Sequence, residues 1–174
     1  MGMRSVVRPI LHDRPSRRWL PLGSVELERE GIVQPLQIVA VTRPWHWGIA
    51  ILSDASLGGQ IPDVDPAVPV SANRSGLIVL VRHAQDQVES FEGVFEWAQA
   101  TVTVRHYSEP PPLEDRRVTV HEGLMDTPTG RLSIGDADGE AEMRGLTTTS
   151  GVRVLCAADD LDSPDRVWVD IWPL

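Results

Sequence analysis

Residues 166–172 read RVWVDIW, and the alternation in this stretch decides the fold class. Its valine and isoleucine side chains have one parity, and its two tryptophans and its aspartate have the other. Successive side chains of an extended strand point to opposite faces, so the aliphatic residues share one face. Such a pattern is typical of antiparallel sheets. Because Trp168 and Trp172 share the second face, we expect that this face packs beneath another part of the chain or binds a ligand.

Seven further short runs, rich in Val, Ile and Thr and separated by Pro, Gly and Asp, also predict strands. They are 36–41, 48–53, 77–83, 100–107, 117–122, 131–134 and 152–157. The run LIVLV at 77–81 does not alternate, which is expected of a central strand that is buried on both sides. We therefore predict an all-β fold, a mostly antiparallel β-sandwich or a partly open barrel, with at most one short helix.

The one candidate helix is DQVESFEGVFEWAQA, residues 86–100. Four of its apolar residues follow a spacing of three or four, and Asp86 is a suitable N-cap residue. Gly93 and the aromatic side chains favour a strand instead. The sequence leaves both alternatives open.

A length of 174 residues suits one domain. Residues 1–20 are rich in Arg and Pro, so we predict a flexible N-terminal arm, followed by a single β domain over residues 21–174. The first residues do not resemble a signal peptide, and the longest aliphatic run has five residues, far fewer than the roughly 20 that cross a bilayer. We expect a cytoplasmic protein that does not bind membranes.

The chain is acidic, with 25 acidic and 16 basic residues and a net charge of −9. Every basic residue is arginine, and five of these lie in the first 20 residues. Binding to nucleic acid needs a basic face, so we do not expect it from the body of the protein. A basic protein surface is a better match, unless the charge serves solubility alone. We expect a protein partner, and a monomer or a weak homodimer.

Two segments supply candidate contact residues. The loop DDLDSPD, 159–165, concentrates four carboxylates, and the loop PWHW, 44–47, contains two tryptophans. Acidic residues at this density are either solvated or matched by a cationic partner, and tryptophans either cover the end of a core or anchor an interface. We predict that the partner-binding residues are Asp159, Asp160, Asp162, Asp165, Trp45 and Trp47.

The stretch LIVLVRHAQ, 77–85, resembles the first histidine motif of the histidine phosphatases, and VTVHEG, 118–123, resembles their second histidine motif. Only 38 residues separate His83 from His121, however, and most of this chain has the pattern of strands. The five histidines lie on separate segments without metal-ligand spacing. We therefore assign no catalytic residue, metal or cofactor, and keep phosphoryl transfer by Arg82 and His83 as an alternative.

Two smaller features have structural interpretations. Cys156 is the only cysteine and lies in the apolar run VRVLCA, so we predict a buried, unreactive thiol. The stretch DADGEAE, 136–142, is acidic, but its glycine is misplaced for a calcium loop. We predict a solvated hairpin turn there.

The order of these segments resembles that of a known family. The strand LQIVAV is followed by a Trp-containing loop, by GIA and by a segment that ends in VPVSAN. The strands 100–107 and 117–122 come next. The strand VRVLCA, an acidic loop and the strand WVDIW complete the order. This order, over about residues 35–174, is similar to the ComJ family of small bacterial β proteins, which inhibit a DNA-entry nuclease. The resemblance implies a compact acidic protein that binds a basic enzyme and performs no chemistry, and it transfers no functional residue.

We therefore predict a non-enzymatic acidic protein-binding domain, an inhibitor or immunity-type partner of a basic enzyme such as a nuclease. A phosphoryl-transfer enzyme is one alternative. A β-sandwich that binds a small ligand at the face of Trp168 and Trp172 is another.

Overall fold

The computed structural model describes residues 33–57, 60–86, 88–89, 93–114, 116–136 and 141–174, with the backbone alone at 88–89. All of these residues belong to one compact unit, Ile32–Leu174. The predicted arm and the predicted boundary at residue 21 lie outside the described residues and stay predictions.

Strands dominate the part of the chain that the structure describes. They are β1 (Gln37–Arg43), β2 (Ile49–Ser53), β3 (Val70–Asn73), β4 (Gly76–Leu80), β5 (Val88–Glu89), β6 (Phe95–Glu96), β7 (Ala100–His106), β8 (Arg117–Asp126), β9 (Arg131–Gly135), β10 (Ala141–Arg144), β11 (Thr149–Ala157) and β12 (Arg166–Pro173). A single 3-10 turn, Ala55–Leu57, is the helical element in these residues. None of the described helical segments is long and apolar enough to cross a bilayer.

The strands form two five-stranded sheets and one short hairpin. The first sheet has the order β1-β7-β12-β11-β8, the second has the order β10-β9-β2-β4-β3, and β5 pairs with β6. All neighbours are antiparallel except β7 and β12, which are parallel. Neither sheet closes into a barrel. The predicted all-β, mostly antiparallel fold is therefore confirmed.

The core lies between the inner faces of the two sheets, as the alternation predicts. On β12, Val167, Val169 and Ile171 are fully buried and belong to the core. Leu77 and Val79 of β4 contribute to the same core from the second sheet. Ile78 on the other face of β4 is also buried, whereas Leu80 on that face is half-buried. The predicted burial on both faces is therefore confirmed for residues 77–79.

The outer face of β12 is covered by the chain itself. Trp172 is buried and its indole lies so close to Gly151 that a Cβ there would clash with the ring. The guanidinium of Arg117 stacks on Trp168, 3.8 Å from the ring centroid. Asp170, between the two tryptophans, accepts a hydrogen bond of 2.7 Å from Arg105 Nε. The expectation that this face packs beneath another part of the chain is confirmed, and these contacts occupy the face proposed for a small ligand.

The helical alternative for residues 86–100 is wrong for the residues described there. Strands β5 and β6 pair as a hairpin, and Gly93 between them has a φ of 75°, which glycine tolerates without strain. Phe95, which a helix would bury, is exposed. The spacing of three or four residues is therefore not that of a helix in the residues described here.

At one end of the sandwich, a buried carboxylate ties two connections together. Asp54 follows β2 and is fully buried. It accepts four hydrogen bonds, from the backbone N–H and the hydroxyl of Ser56 and of Thr129. Burial alone would raise the pKa of Asp54, but these hydrogen bonds lower it to about 2. The two connections at this end are therefore held by an ionised group.

Candidate functional site

Four connecting segments meet at the opposite end of the sandwich. They are 44–48, 81–86, 93–99 and 158–165, and together we call them the acidic–aromatic end. The strand register brings them together, because β1 ends opposite the start of β7, and β2 starts opposite the end of β4. Strand β12 starts beside β7, so the loop that precedes β12 reaches the same end.

Trp45 links two of these segments, 44–48 and 81–86, to the start of β7. It is fully buried, and its indole N–H donates a hydrogen bond of 2.9 Å to the carbonyl oxygen of Ala100. Its own carbonyl oxygen accepts hydrogen bonds from the backbone N–H groups of Gly48 and Ala84, each 3.0 Å long. The position of Trp45 is therefore that of a core residue that supports the surface, and a partner would not touch its ring directly.

The acidic loop 158–165 is attached to the same end through its backbone. The N–H of Arg82 donates to the carbonyl oxygen of Pro164 at 2.9 Å, and the N–H of Thr101 donates to the carbonyl oxygen of Asp165 at 2.8 Å. The guanidinium of Arg82 also lies 3.9 Å from the carboxylate of Asp165. Residues that the sequence separates by more than 60 positions thus become neighbours.

The four predicted aspartates divide into two pairs. The carboxylate of Asp160 accepts a hydrogen bond of 2.8 Å from the backbone N–H of Asp165, so these two residues shape the loop. Asp159 and Asp162 are exposed. The carboxylates of Asp159 and Asp162 therefore face solvent, while the carboxylate of Asp160 holds the loop in its conformation through the backbone of Asp165.

Exposed aromatic side chains lie on two other segments of this end. Trp47 is 75% exposed, Phe95 is 64% exposed and Trp97 is 50% exposed. The ring of His46 meets Trp97 edge-on, with 5.7 Å between centroids, which joins the segments 44–48 and 93–99. We call Trp47, Phe95 and Trp97 the aromatic cluster. Large apolar side chains that are exposed together mark interaction surfaces more often than isolated ones do.

A small cleft opens between the acidic loop and the connection that precedes β3. Its volume is about 100 Å³. Six of its lining residues have apolar side chains and one has a carboxylate, but polar atoms form most of the surface that the cleft exposes. The lining residues are Pro66, Ala67, Val68, Pro69, Leu80, Leu161 and Asp162.

The phosphatase-like residues do not converge. His83 follows β4 in the second sheet, and its Nδ1 accepts a hydrogen bond of 3.0 Å from the N–H of Gln85. His121 lies within β8 of the first sheet, opposite Val154. Burial lowers the pKa of His121. Among the described residues, no three His, Cys, Asp or Glu side chains are grouped so that they could hold a metal ion.

Cys156 has the environment that the sequence predicts. It is a free, fully buried cysteine of the core, and burial raises the pKa of its thiol to about 11. The thiolate is the reactive form, so this thiol is unreactive at neutral pH. The prediction that this thiol is buried is confirmed, and its raised pKa is consistent with low reactivity.

The acidic stretch 136–142 is described only in part. Strands β9 and β10 pair as antiparallel neighbours on either side of it, with Ile134 opposite Ala141. Residues 137–140 lie outside the described residues, so the predicted hairpin turn stays a prediction.

Sequence reasoning missed Phe95 and Trp97 because the helical alternative assigned Phe95 to a buried face. The available signal was compositional. Six tryptophans against two phenylalanines and one tyrosine is an unusual ratio, and tryptophan is a preferred anchor of protein interfaces.

No protein-family model and no curated protein matches this chain. Two solved structures are similar. The structure of "Crocagin biosynthetic gene J" is 13% identical, with 79% of this chain and 97% of that chain covered and a TM-score of 0.51. The crystal structure of ComJ, inhibitor of the DNA degrading activity of NucA, from Bacillus subtilis, is 9% identical, with 82% and 98% covered and a TM-score of 0.46. The resemblance to the ComJ family is thus found again as a weak resemblance of fold. At these identities the likeness concerns architecture alone: the chain has an all-β fold similar to that of the crocagin biosynthetic protein J.

Proposed function

We propose that this chain is a non-enzymatic protein-binding domain that docks through its acidic–aromatic end onto a basic surface of another protein. The proposed role is that of an inhibitor or immunity-type partner of a basic enzyme such as a nuclease. One observation carries the proposal: exposed carboxylates and exposed aromatic side chains, distant in sequence, lie on segments that meet at one end of the sandwich.

The charge of this end supports a basic partner. Asp159 and Asp162 are exposed on the acidic loop, and Asp86 and Glu96 are exposed on the neighbouring segments. Fields of one sign accelerate the encounter with an oppositely charged surface, by roughly tenfold to a thousandfold in favourable cases. The same charge disfavours nucleic acid and anionic membranes as partners.

The aromatic cluster would supply binding energy in addition to the electrostatic attraction. Binding energy at interfaces concentrates in a few tryptophan, tyrosine and arginine side chains that become fully desolvated. Trp47 is largely exposed, while Trp45 beneath it fixes the backbone of the same turn. An anchor on a backbone that is already ordered loses little conformational entropy on binding.

The non-enzymatic part of the proposal has its own support. His121 lies in the first sheet, His83 follows β4 of the second sheet, and the thiol of Cys156 is buried in the core. ComJ inhibits the DNA degrading activity of NucA, and the role proposed here is of the same kind. The proposal rests on the surface of this chain and not on that likeness. We further propose a cytoplasmic protein that is a monomer or a weak homodimer.

The first experiment measures association. The full-length chain is immobilised to capture its partner from the source cell, and the association rate of the purified pair is then followed at increasing salt. We expect the rate constant to fall about tenfold between about 0.01 M and 0.5 M salt, because screening shortens the reach of the acidic charge. We also expect the captured enzyme to lose activity in the complex. An association rate that does not depend on salt would contradict electrostatic steering.

Matched variants assign the contact to one end of the molecule. Asp159→Asn should slow association, whereas Glu109→Gln, which removes an equal charge from an exposed position after β7, should not. Trp47→Ala should weaken binding roughly 30-fold, the cost of about 2 kcal/mol that is typical of an anchor residue. Leu113→Ala is its control, because Leu113 is also exposed but lies on the connection between β7 and β8. Equal effects of the paired variants would refute this assignment.

A further inference from the structure

We propose that the cleft between residues 66–69 and 161–162 receives a single basic side chain, arginine or lysine, from the partner protein. This inference rests on the proposed function and adds a specific recognition site to it. The cleft adjoins the acidic–aromatic end because Leu161 and Asp162 belong to the acidic loop.

The size of the cleft selects the class of ligand. Its volume is about 100 Å³. Sites for cofactors and drug-sized molecules have volumes of roughly 300–1,000 Å³, so such ligands do not fit. A water molecule occupies about 30 Å³ of liquid, so the cleft has room for a few waters or for one extended side chain.

The wall formed by residues 66–69 is held in place without a ligand. The N–H of Ala67 donates to the carboxylate of Asp65 at 2.9 Å, and the N–H of Asp65 donates to the hydroxyl of Ser71 at 2.9 Å. The N–H of Leu80 donates to the carbonyl oxygen of Pro69, also at 2.9 Å. Two prolines further restrict this backbone. A wall that is ordered in advance lowers the entropic cost of binding.

The opposite wall supplies the charge. Its loop is fixed by the hydrogen bond between Asp160 and Asp165, which leaves Asp162 exposed at the rim of the cleft. The two loops, residues 62–69 and 158–165, carry six aspartates and no basic residue. An anionic side chain would meet an unfavourable electrostatic potential here. A purely apolar side chain would leave the charge of Asp162 without an opposite charge.

Lysine and arginine combine the two properties that this cleft requires. Their methylene stems bury well against apolar surface, here Val68, Leu80 and Leu161, while the cationic head remains hydrated. The head can then lie beside the carboxylate of Asp162 at the rim. A partly exposed ion pair of this kind contributes up to about 1 kcal/mol, which corresponds to roughly fivefold in affinity.

The test uses a capped pentapeptide, Gly-Ser-Lys-Ser-Gly, as the probe, together with the matching arginine and norleucine peptides. Nuclear magnetic resonance spectra of the nitrogen-15-labelled full chain report binding to each. We expect the lysine and arginine peptides to shift the amide signals of residues 67–68 and 161–162 with millimolar affinity. The norleucine peptide has the same apolar stem without the charge, and we expect it to bind more weakly. An absence of shifts at these positions, or equal binding of norleucine, would overturn the inference.

Variants separate the cleft from the general charge of this end. Asp162→Asn should weaken binding of the lysine peptide at least about threefold, and Asp159→Asn, which removes the same charge from the same loop, by no more than about 1.5-fold. Ala67→Leu keeps every charge and fills the cleft, so it should also weaken binding. Ala67 is exposed, so this substitution leaves the core intact. Equal effects of the two aspartate variants would contradict a specific site.

Chemical cross-linking gives an independent readout, because the chain contains no lysine. A carbodiimide joins a carboxylate to an amine that touches it, with no spacer. Peptide mapping should therefore place the cross-link of the lysine peptide at Asp162. Cross-links spread over all exposed carboxylates would overturn the inference.

The failure of this inference is distinguishable from that of the proposed function. If the captured partner associates in a salt-sensitive way but Asp162→Asn and Asp159→Asn affect it equally, the cleft is not a recognition site and the docking surface stands. If association is insensitive to salt and to Trp47→Ala, the proposed function itself fails.

Discussion

At the scale of single residues, buried polar groups decide where this sandwich is rigid. Asp54 is a carboxylate without solvent access, and it persists as an anion because four donors surround it. On the outer face of the first sheet, Asp170 is buried too, and its guanidinium partner Arg105 also binds Glu114. Burial raises the pKa of Asp170, so desolvation destabilises the charged form of this residue. At Asp54 the hydrogen bonds outweigh the effect of burial, and its charged form is stabilised.

The depressed pKa of Asp54 predicts a specific dependence of stability on pH. The folded-state pKa of about 2 lies below the ordinary value of 3.8, so the unfolded chain binds the proton more readily. The resulting contribution is complete above about pH 4 and is lost as the pH falls from about 4 to 2. Nearly two pKa units correspond to roughly 2 kcal/mol.

Asp54→Asn should therefore lower the free energy of unfolding by roughly 2 kcal/mol at pH 7, and by little at pH 2. Urea unfolding of both proteins at several pH values measures this. Asp63→Asn is the control, because Asp63 is exposed. The explanation fails if the difference between Asp54→Asn and the unmodified chain is the same at pH 7 and pH 2.

Residue-level prediction from sequence was limited by the same polar groups. The alternation in RVWVDIW correctly predicts that Asp170 lies on the face of the two tryptophans. The partner of Asp170 could not be predicted, because Arg105 lies on another strand more than 60 residues away. Side-chain pairing across strands leaves no signature in either strand alone.

At the scale of elements, the turn between β1 and β2 has two tryptophans with opposite tasks. Trp45 is buried and bonded to Ala100, whereas the ring of Trp47 projects into solvent. The sequence PWHW predicts an important loop, but it does not distinguish the two rings. Only the strand register, which places Arg43 opposite Ala100, decides which ring faces inward.

The different positions of the two rings predict different effects of substitution on the free energy of unfolding. Trp45→Phe should lower the free energy of unfolding by about 2–4 kcal/mol, because it leaves the carbonyl of Ala100 without its donor and opens a void. Trp47→Ala should change it by less than about 0.5 kcal/mol, as expected of an exposed position. Urea denaturation followed by far-ultraviolet circular dichroism tests both variants. A large loss of stability in Trp47→Ala would mean that Trp47 supports the fold and is not a free anchor.

Prediction of the strands succeeded where a strand has one apolar face. It failed at β3 and β10, the edge strands of the second sheet, which read VSAN and AEMR. Each edge strand has a neighbour on one side only and needs few apolar residues, so its alternation is weak. The meeting of the loops at the acidic–aromatic end was also beyond prediction, because backbone hydrogen bonds between loops are independent of residue type.

At the scale of the whole molecule, the order of strands in space differs from their order in sequence. Strand β12, the last strand described, lies at the centre of the first sheet between β7 and β11. It buries Val167, Val169 and Ile171 in the core. Burial of three such side chains contributes roughly 5–9 kcal/mol, which is comparable with the total stability of a typical domain.

A chain that ends at residue 165 should therefore not fold. We expect it to lack a cooperative unfolding transition, since β7 and β11 lose their common neighbour and Arg105 loses Asp170. A chain that lacks only Leu174, which is exposed, is the control and should unfold like the full chain. Cooperative unfolding of the chain that ends at residue 165 would show that the core closes without β12.

The central position of β12 also affects how the protein is made. A ribosome releases β1 through β11 before β12 emerges, and until then the two halves of the first sheet have no strand to join them. Until that moment the aliphatic strands of the nascent polypeptide lack a neighbour that covers them, and they are accessible to chaperones or to neighbouring chains. Completion of the first sheet waits for this strand, and a slow stretch of codons placed before it would prolong the exposed period without altering the finished protein.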